Sequence, residues 1–336
     1  MPANKLLLSS SPHFFSQATT KKVMLAVIIA LMPSTIYGIY LFGAHALFLV
    51  LSCVAASVLS EWLFRLVTKQ ALSIGDFSAV VTGLLLALVL PPSTPIWMAI
   101  LGAFMAIVVA KEFFGGLGQN PFNPALIGRA FLLMSFPAAM TTWQKPLAGA
   151  IDATSAATPL NMIKQGVDMK DVIASVGAHD MGGFYWQLFL GNRAGSIGET
   201  SILLVTLGGL FLLGLGVIRF VIPLAVLAST AFFAFCFGMD PLFAILSGGV
   251  VFGAFFMATD YSSSPMTTKG QILYGIGIGL IIVLIRKLGG FPEGVTYAIL
   301  VMNMLSPFLD KLRARKYGFV APKKPAPQAA AKGDSK

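Results

Sequence analysis

Apolar positions in this chain come in long unbroken runs, without the spacing of an amphipathic helix or a half-buried strand. Val23 to Ser60 contains no charged residue and is far longer than the roughly 20 residues a membrane span needs. Gly43, Ala44 and His45 interrupt it, which predicts two helices. Leu72–Leu90 and Pro95–Ala110 flank a PPSTP turn and predict a third and a fourth. A fifth, near Ala125–Met140, carries Arg129 and Pro137. A polar stretch from about Thr141 to Thr200 then breaks the pattern. Ile202–Ile218, Phe220–Met239, Pro241–Thr259, Gln271–Ile285 and Gly294–Leu309 follow. The pattern predicts an all-α integral membrane protein with about ten transmembrane helices, five on each side of the polar stretch. Several runs are short, so tilted or broken helices are expected.

The parts are a 1–22 N-terminal segment, a 23–140 first half, a 141–200 loop, a 201–310 second half and a 311–336 tail. Residues 1–22 are polar up to Lys21-Lys22, and the apolar run behind them exceeds a signal-peptide core, so cleavage there is not expected. Lys5, Lys21, Lys22, Arg65, Lys69, Lys111, Arg219, Lys269 and the tail fall on one side of the ten-span layout. Basic residues favour the cytoplasm, which places both termini inside and loop 141–200 outside. Arg286-Lys287 alone breaks this bias. An internal repeat would account for the exception. LGAFMAIVVAKEFFGG (101–116) resembles YGIGIGLIIVLIRKLGG (274–290) with a one-residue gap. Five-span halves in tandem insert with opposite orientation, so an inverted repeat is expected, with sites between the halves.

Composition agrees. Hydrophobic residues are 57% of the chain and charged residues 11%, against about 25% charged in a soluble domain. This excludes soluble, disordered, collagen-like and coiled-coil classes. The net charge of +10 suggests nucleic acid until it is located. From Lys311 onward lie eight Lys or Arg residues and one Asp, among Pro and Ala. That is a basic extension suited to anionic lipid headgroups, and no nucleic-acid partner is expected. Cys53 and Cys236 sit in apolar runs and fall short of the four ligands of an Fe–S cluster. His179 has no second His at ligand spacing, so no metal site is expected.

Ionisable residues near the apolar zone are Glu61, Asp76, Glu112, Arg129, Asp240 and Asp260. Such residues often mark ion paths. All but Arg129 fall near predicted helix ends, where water or headgroups solvate charge, and Asp76 and Asp260 are the preferred candidates. Spans, repeat and acids together fit a ten-span secondary transporter without a redox cofactor equally well. Asn120-Pro121-Phe122-Asn123-Pro124 enters the fifth span, where Pro frees backbone groups that Asn side chains can satisfy. Its expected counterpart is Asp260, Ser262–Ser264, Pro265 and Thr267–Thr268.

Within the long loop, IDATSAATPLN (151–161) clusters hydroxyls and small residues around Asp152. By residue type alone this is a polar turn or a helix N-cap, with Pro159 early in the helix. The stretch Asp152-Ala153-Thr154-Ser155-Ala156-Ala157-Thr158 also resembles the Asp-x-x-Ser/Thr-Gly-Ala-Thr/Ser pattern recognised by flavin transferases, with Ala156 in place of Gly. Further segments, GGLGQNPFNPALIGRAF (115–131), FFMATDYSSSPMTTKGQ (255–271) and FPEGVTYAILVMNMLSPFLD (291–310), resemble the RnfD family, a membrane component of the Rnf electron transport complex. That family is related to a membrane component of the sodium-translocating NADH:quinone reductase. The resemblance runs from about Ser10 to Asp310 and leaves out the basic tail.

It implies a flavin-carrying relay in a bacterial inner-membrane complex that couples ferredoxin/NAD electron transfer to Na+ or H+ translocation. FMN would be joined to Thr158 as a phosphoester, with Asp152 and Ser155 belonging to the recognition motif. The implied partners are other membrane and peripheral subunits, among them a second covalent flavoprotein and Fe–S subunits, and a flavin transferase for maturation. The related reductase component also holds riboflavin without a covalent bond. Asn120, Asn123 and Asp260 then have two readings, as contributors to such a site or as turns that serve the fold.

Overall fold

A computed structural model describes residues 19–144, 146, 155–191, 193–290 and 293–312. Among them, four helical stretches are long and apolar enough to cross a membrane: Thr20–Phe42, Ala44–Val67, Ile96–Phe114 and Thr268–Leu288. Shorter apolar helices accompany them, and the whole reads as a multi-pass membrane protein.

Helices α1 (Thr20–Phe42) and α2 (Ala44–Val67) are separated only by Gly43, at the expected interruption. Its φ of 76° is a left-handed turn that glycine adopts without strain. After α2, a 3-10 turn leads to Phe77, itself left-handed at φ 63°, and α3 (Ser78–Val89) begins. Asp76 sets this start: its Oδ1 accepts from Ser78 N at 2.8 Å and Ser78 Oγ at 2.7 Å. The run predicted as Leu72–Leu90 is thus a 12-residue helix rising roughly 18 Å, about half a bilayer core. A buried helix end needs outside partners for its carbonyls. For α3 they come from far along the chain, where Gly198 N donates to Leu88 O (2.7 Å) and Ile197 N to Leu90 O (3.3 Å).

Helix α4 (Ile96–Phe104) widens into a π turn over Met105–Val109. Helix α5 (Pro124–Ser135) stops at Phe136 and resumes as the short α6 (Pro137–Met140), so Pro137 ends the fifth predicted run. In the polar stretch, β1 (Trp143–Gln144) pairs antiparallel with β2 (Ser155–Ala156), Trp143 opposite Ala156. Three small helices follow: α7 (Pro159–Lys164), α8 (Met169–Ser175) and α9 (Met181–Leu190). Their apolar faces join Leu160, Val172, Val176, Phe184 and Leu188 to Phe243 in a core of their own, which ties this segment to the second half of the chain.

The second half contains α10 (Ile202–Gly214) and α11 (Val221–Cys236). The run predicted as Pro241–Thr259 is broken. Helix α12 (Pro241–Leu246) ends at Ser247, α13 (Val250–Phe252) starts after Gly249, and a π turn covers Gly253–Met257. Helix α14 (Thr268–Leu288) reaches further than the predicted Gln271–Ile285, and α15 (Val295–Leu309) follows. Small residues let the helices close up, since apolar surface alone drives little association in lipid. A Cβ on Gly83 would meet Cys53 O of α2 at 2.8 Å, and one on Gly279 would meet Thr230 N of α11 at 2.7 Å.

Candidate cofactor sites

Thr158 is the N-cap of α7, its Oγ accepting from Asn161 N at 3.2 Å. Pro159 occupies the first turn and Leu160 anchors in the adjacent core. Both sequence readings of this stretch, helix cap and modification motif, therefore fall on one residue. Thr158 is 7% exposed and lines a small cleft with Leu160, Arg193, Glu199, Ser247, Gly248 and Glu293. Asp152 lies outside the described residues, and Ser155 sits on β2 opposite Gln144.

The far wall of that cleft is the break between α12 and α13, where freed carbonyls are taken up by two buried arginines. Arg193 donates to Leu246 O and, at 3.0 Å, to Glu199 O. Arg286 donates to Ala244 O and, at 2.8 Å, to Ser247 O. Glu199 completes the junction by accepting from Gly249 N at 2.6 Å and from Ser196 N at 3.3 Å. Arg129 forms an ion pair with Glu293. Burial pulls the Arg193 guanidinium below its ordinary pKa, and the carboxylates of Glu199 and Glu293 oppose that shift.

Two sequence-level oddities are explained here. Arg129, lone in a predicted span, has its counter-charge in Glu293. Arg286, which broke the cytoplasmic bias, is 5% exposed and caps carbonyls instead of lying in a loop. Sequence reasoning missed Arg193, Glu199 and Glu293 as site residues. The available signal was GNRAGSIGET (191–200), charges set among small residues directly before an apolar helix.

A second cleft lies between the chain halves, lined by Ser78, Lys111, Asn120, Asn123 and Asp260 beside Val81, Leu85, Phe255 and Phe256. The two turn segments singled out in the sequence meet in it. Asn120 Nδ2 donates to Phe122 O at 2.9 Å and reaches Asp260 Oδ2 at 3.4 Å. The same oxygen accepts from Ser262 Oγ (3.1 Å) and Ser263 Oγ (2.9 Å). Asn123 works in both directions: its Oδ1 caps α5 at Leu126 N, and its Nδ2 donates to Met257 O at 3.2 Å. A π turn leaves a carbonyl without its usual helical partner, and Asn123 takes the one at Met257. Asp76 does not meet Asp260; it joins the wall only through Ser78.

Behind Ser78 is a charge network, buried at Lys111, Glu61 and Glu112 and partly exposed at Arg65. Lys111 Nζ lies 2.9 Å from Glu61 Oε2 and donates to Ser78 Oγ at 2.6 Å. Arg65 Nε lies 3.1 Å from Glu112 Oε2 and 3.7 Å from Glu61 Oε1. Glu61 and Glu112 were expected at helix ends in reach of water. Instead Glu61 is 0% and Glu112 3% exposed, and their charges are balanced inside the protein.

The fold and its two clefts define a multi-pass helical membrane protein with broken helices and buried charge at the breaks. The NQR2, RnfD, RnfE family profile matches residues 7–318, and the chain belongs to this family. It is 44% identical over 316 residues to the D subunit of the proton-translocating ferredoxin:NAD(+) oxidoreductase complex of Clostridium ljungdahlii, covering 92% of this chain and 94% of that protein. It is 45% identical over 325 residues to the D subunit of the Na(+)-translocating ferredoxin:NAD(+) oxidoreductase complex of Acetobacterium woodii, covering 96% and 98%. With the D subunit of the ion-translocating oxidoreductase complex of Stutzerimonas stutzeri, identity is 38% over 340 residues, covering 92% and 95%.

Proposed function

We propose that this chain is the flavin-bearing membrane subunit of a complex that couples ferredoxin/NAD electron transfer to Na+ or H+ movement, with FMN esterified to Thr158. The names of the relatives favour oxidoreductase chemistry over a stand-alone transporter. The observation that carries the reading is the setting of Thr158, a helix-capping hydroxyl that lines a cleft with Arg193, Ser247, Glu199 and Glu293. A bound flavin would supply one- or two-electron exchange with a neighbouring carrier, while the protein supplies position and electrostatics. Thr158 is an attachment point, and the ester would use up its hydroxyl. The recognition stretch from Asp152 through Ser155 would be read by the transferase before attachment.

A second, neutral flavin such as riboflavin suits the cleft between the halves. Its amide and carboxylate wall of Asn120, Asn123 and Asp260 faces an apolar wall, which matches a ring with polar edges and flat apolar faces. Asp260 and Asp76 are the candidates for an ion route along that wall. The architecture is read as ten helices in an inverted repeat, with a buried cation at one helix end in each half: Lys111 at Ser78, the first residue of α3, and Arg286 at the carbonyls that close α12. The membrane would be the bacterial inner membrane, with both termini cytoplasmic and 141–200 outside. Membrane and peripheral subunits with Fe–S centres and a second covalent flavin would complete the chain of carriers.

The test is in-gel flavin fluorescence after denaturation, using protein from a host that contains the transferase, beside Thr158→Val. The wild-type band should fluoresce and the variant band should be dark, while flavin released into solution reports the non-covalent site. A dark wild-type band, with the transferase shown to be active, removes the covalent assignment.

A further inference from the structure

Behind the polar wall of the cleft between the halves stand two residues that do not line it. Tyr274 of α14 and Asn303 of α15 are 0% and 2% exposed, polar groups within predominantly apolar helices. Turned so that each of its atoms meets a complementary partner, the Asn303 amide donates to Tyr274 Oη at 2.6 Å and to Ile299 O at 3.2 Å. Its Oδ1 then accepts from Asn123 N at 3.1 Å. Asn123 N has no other bond among the described residues. Buried polar groups in an apolar bundle are costly unless their bonds are met, and an apolar pair of similar volume would pack there without that cost. What an apolar pair could not do is hold Asn123 across the boundary between the two halves.

Asn123 is thereby held from three elements. Its backbone N bonds to α15, its Oδ1 caps α5 at Leu126 N, and its Nδ2 donates to Met257 O of the π turn. One N–H and one lone pair of the amide remain. Asn120 directs its two N–H groups to Phe122 O and Asp260 Oδ2 and keeps its oxygen. The cleft, with about 770 Å³ of open space, so offers an acceptor at Asn120 and a donor beside an acceptor at Asn123. An imide edge, one N–H between two carbonyls, complements that set. Resting on the neutral-flavin reading of this cleft, we propose that Asn303, steadied by Tyr274, is a positioning residue for the bound ring. It locks the Asn123 backbone and so fixes the direction of the amide N–H left for a ring carbonyl. Asn303 belongs to the second half and Asn123 to the first, so the seat is complete only when the halves are docked.

Full-length protein in detergent is stripped of non-covalent flavin and titrated with riboflavin, binding being read from the flavin's fluorescence. Wild type is compared with Asn303→Leu, with Asn123→Ser, which keeps a helix-capping hydroxyl and loses the amide, and with the double variant. Asn303→Leu should weaken binding roughly tenfold, the equivalent of one hydrogen bond. The double variant should bind no more weakly than Asn123→Ser alone, because the two residues act through one contact. An Asn303→Leu protein that melts lower but binds riboflavin like wild type would overturn the proposal, leaving a purely structural role. So would Asn123→Ser binding like wild type, or losses that multiply in the double variant. Should Asn303→Leu fail to fold, Tyr274→Phe decides in its place. It keeps the packing, removes the hydroxyl that orients the Asn303 amide, and should weaken binding roughly threefold, again without further effect on Asn123→Ser. Wild type that binds no riboflavin removes the neutral-flavin reading itself, a result distinct from equal binding by wild type and variants.

Discussion

Lys111 shows how one residue binds several distant segments together. It is 2% exposed, bonded to Glu61 on α2 and to the first residue of α3. Lys111→Met leaves Glu61 buried with a weakened partner set, and breaking one side of a buried pair costs about 3–5 kcal/mol. The variant should melt well below wild type in detergent, and adding Glu61→Gln should restore part of the loss. Tyr185, in the 141–200 segment, gives a pH-dependent counterpart. Burial first, then its hydrogen bond to Asp240 and that carboxylate's charge, push its hydroxyl from 10.0 up to about 12. Between those values an unfolded tyrosine has lost its proton while the folded one keeps it, so stability falls as pH rises. Tyr185→Phe should flatten that part of the melting-temperature profile relative to wild type. The helix cap at Thr158 was legible in the sequence because a cap is set by neighbouring residues. Arg193, Glu199 and Glu293 were not, because their partners lie on segments far apart in the chain.

At the scale of elements, the hydrophobic runs located the helices well and their lengths poorly. A run of apolar residues looks the same whether the helix passes through it or stops within it. What delays the start of α3 is the polar turn at Asp76, and what breaks the run after α11 is Ser247-Gly248-Gly249, short signals inside apolar surroundings. The buried charges were read from the sequence as solvated helix ends because their partners, up to 50 positions away in the chain, cannot be seen locally. Packing between α11 and α14 rests on small residues. Ser229 Oγ donates to Gly275 O at 3.0 Å, and a methyl on Gly279 would strike the α11 backbone. Gly279→Ala should therefore destabilise by about 1–3 kcal/mol. Gly214→Ala, with nothing within 4 Å of the new carbon, should leave the thermal midpoint nearly unchanged.

Across the whole molecule, the two clefts differ in kind. One is built of neutral amides, a carboxylate and apolar rings between the halves. The other sets guanidiniums and carboxylates around a helix break. On the proposed function, a neutral flavin in the first and the ester at Thr158 beside the second would be two stations along one electron path. The placement of Arg286 also bears on biogenesis. Insertion machinery responds to basic residues flanking a hydrophobic segment before tertiary contacts exist. On the proposed orientation, the emerging α14 presents Arg286 and Lys287 toward the disfavoured side, and by that criterion alone would enter the bilayer the wrong way round. The carbonyls that receive Arg286 belong to α12 and the break after it, segments made earlier in synthesis. On that orientation the helix would be held by a socket made before it, and the order of synthesis would be part of how the topology is encoded.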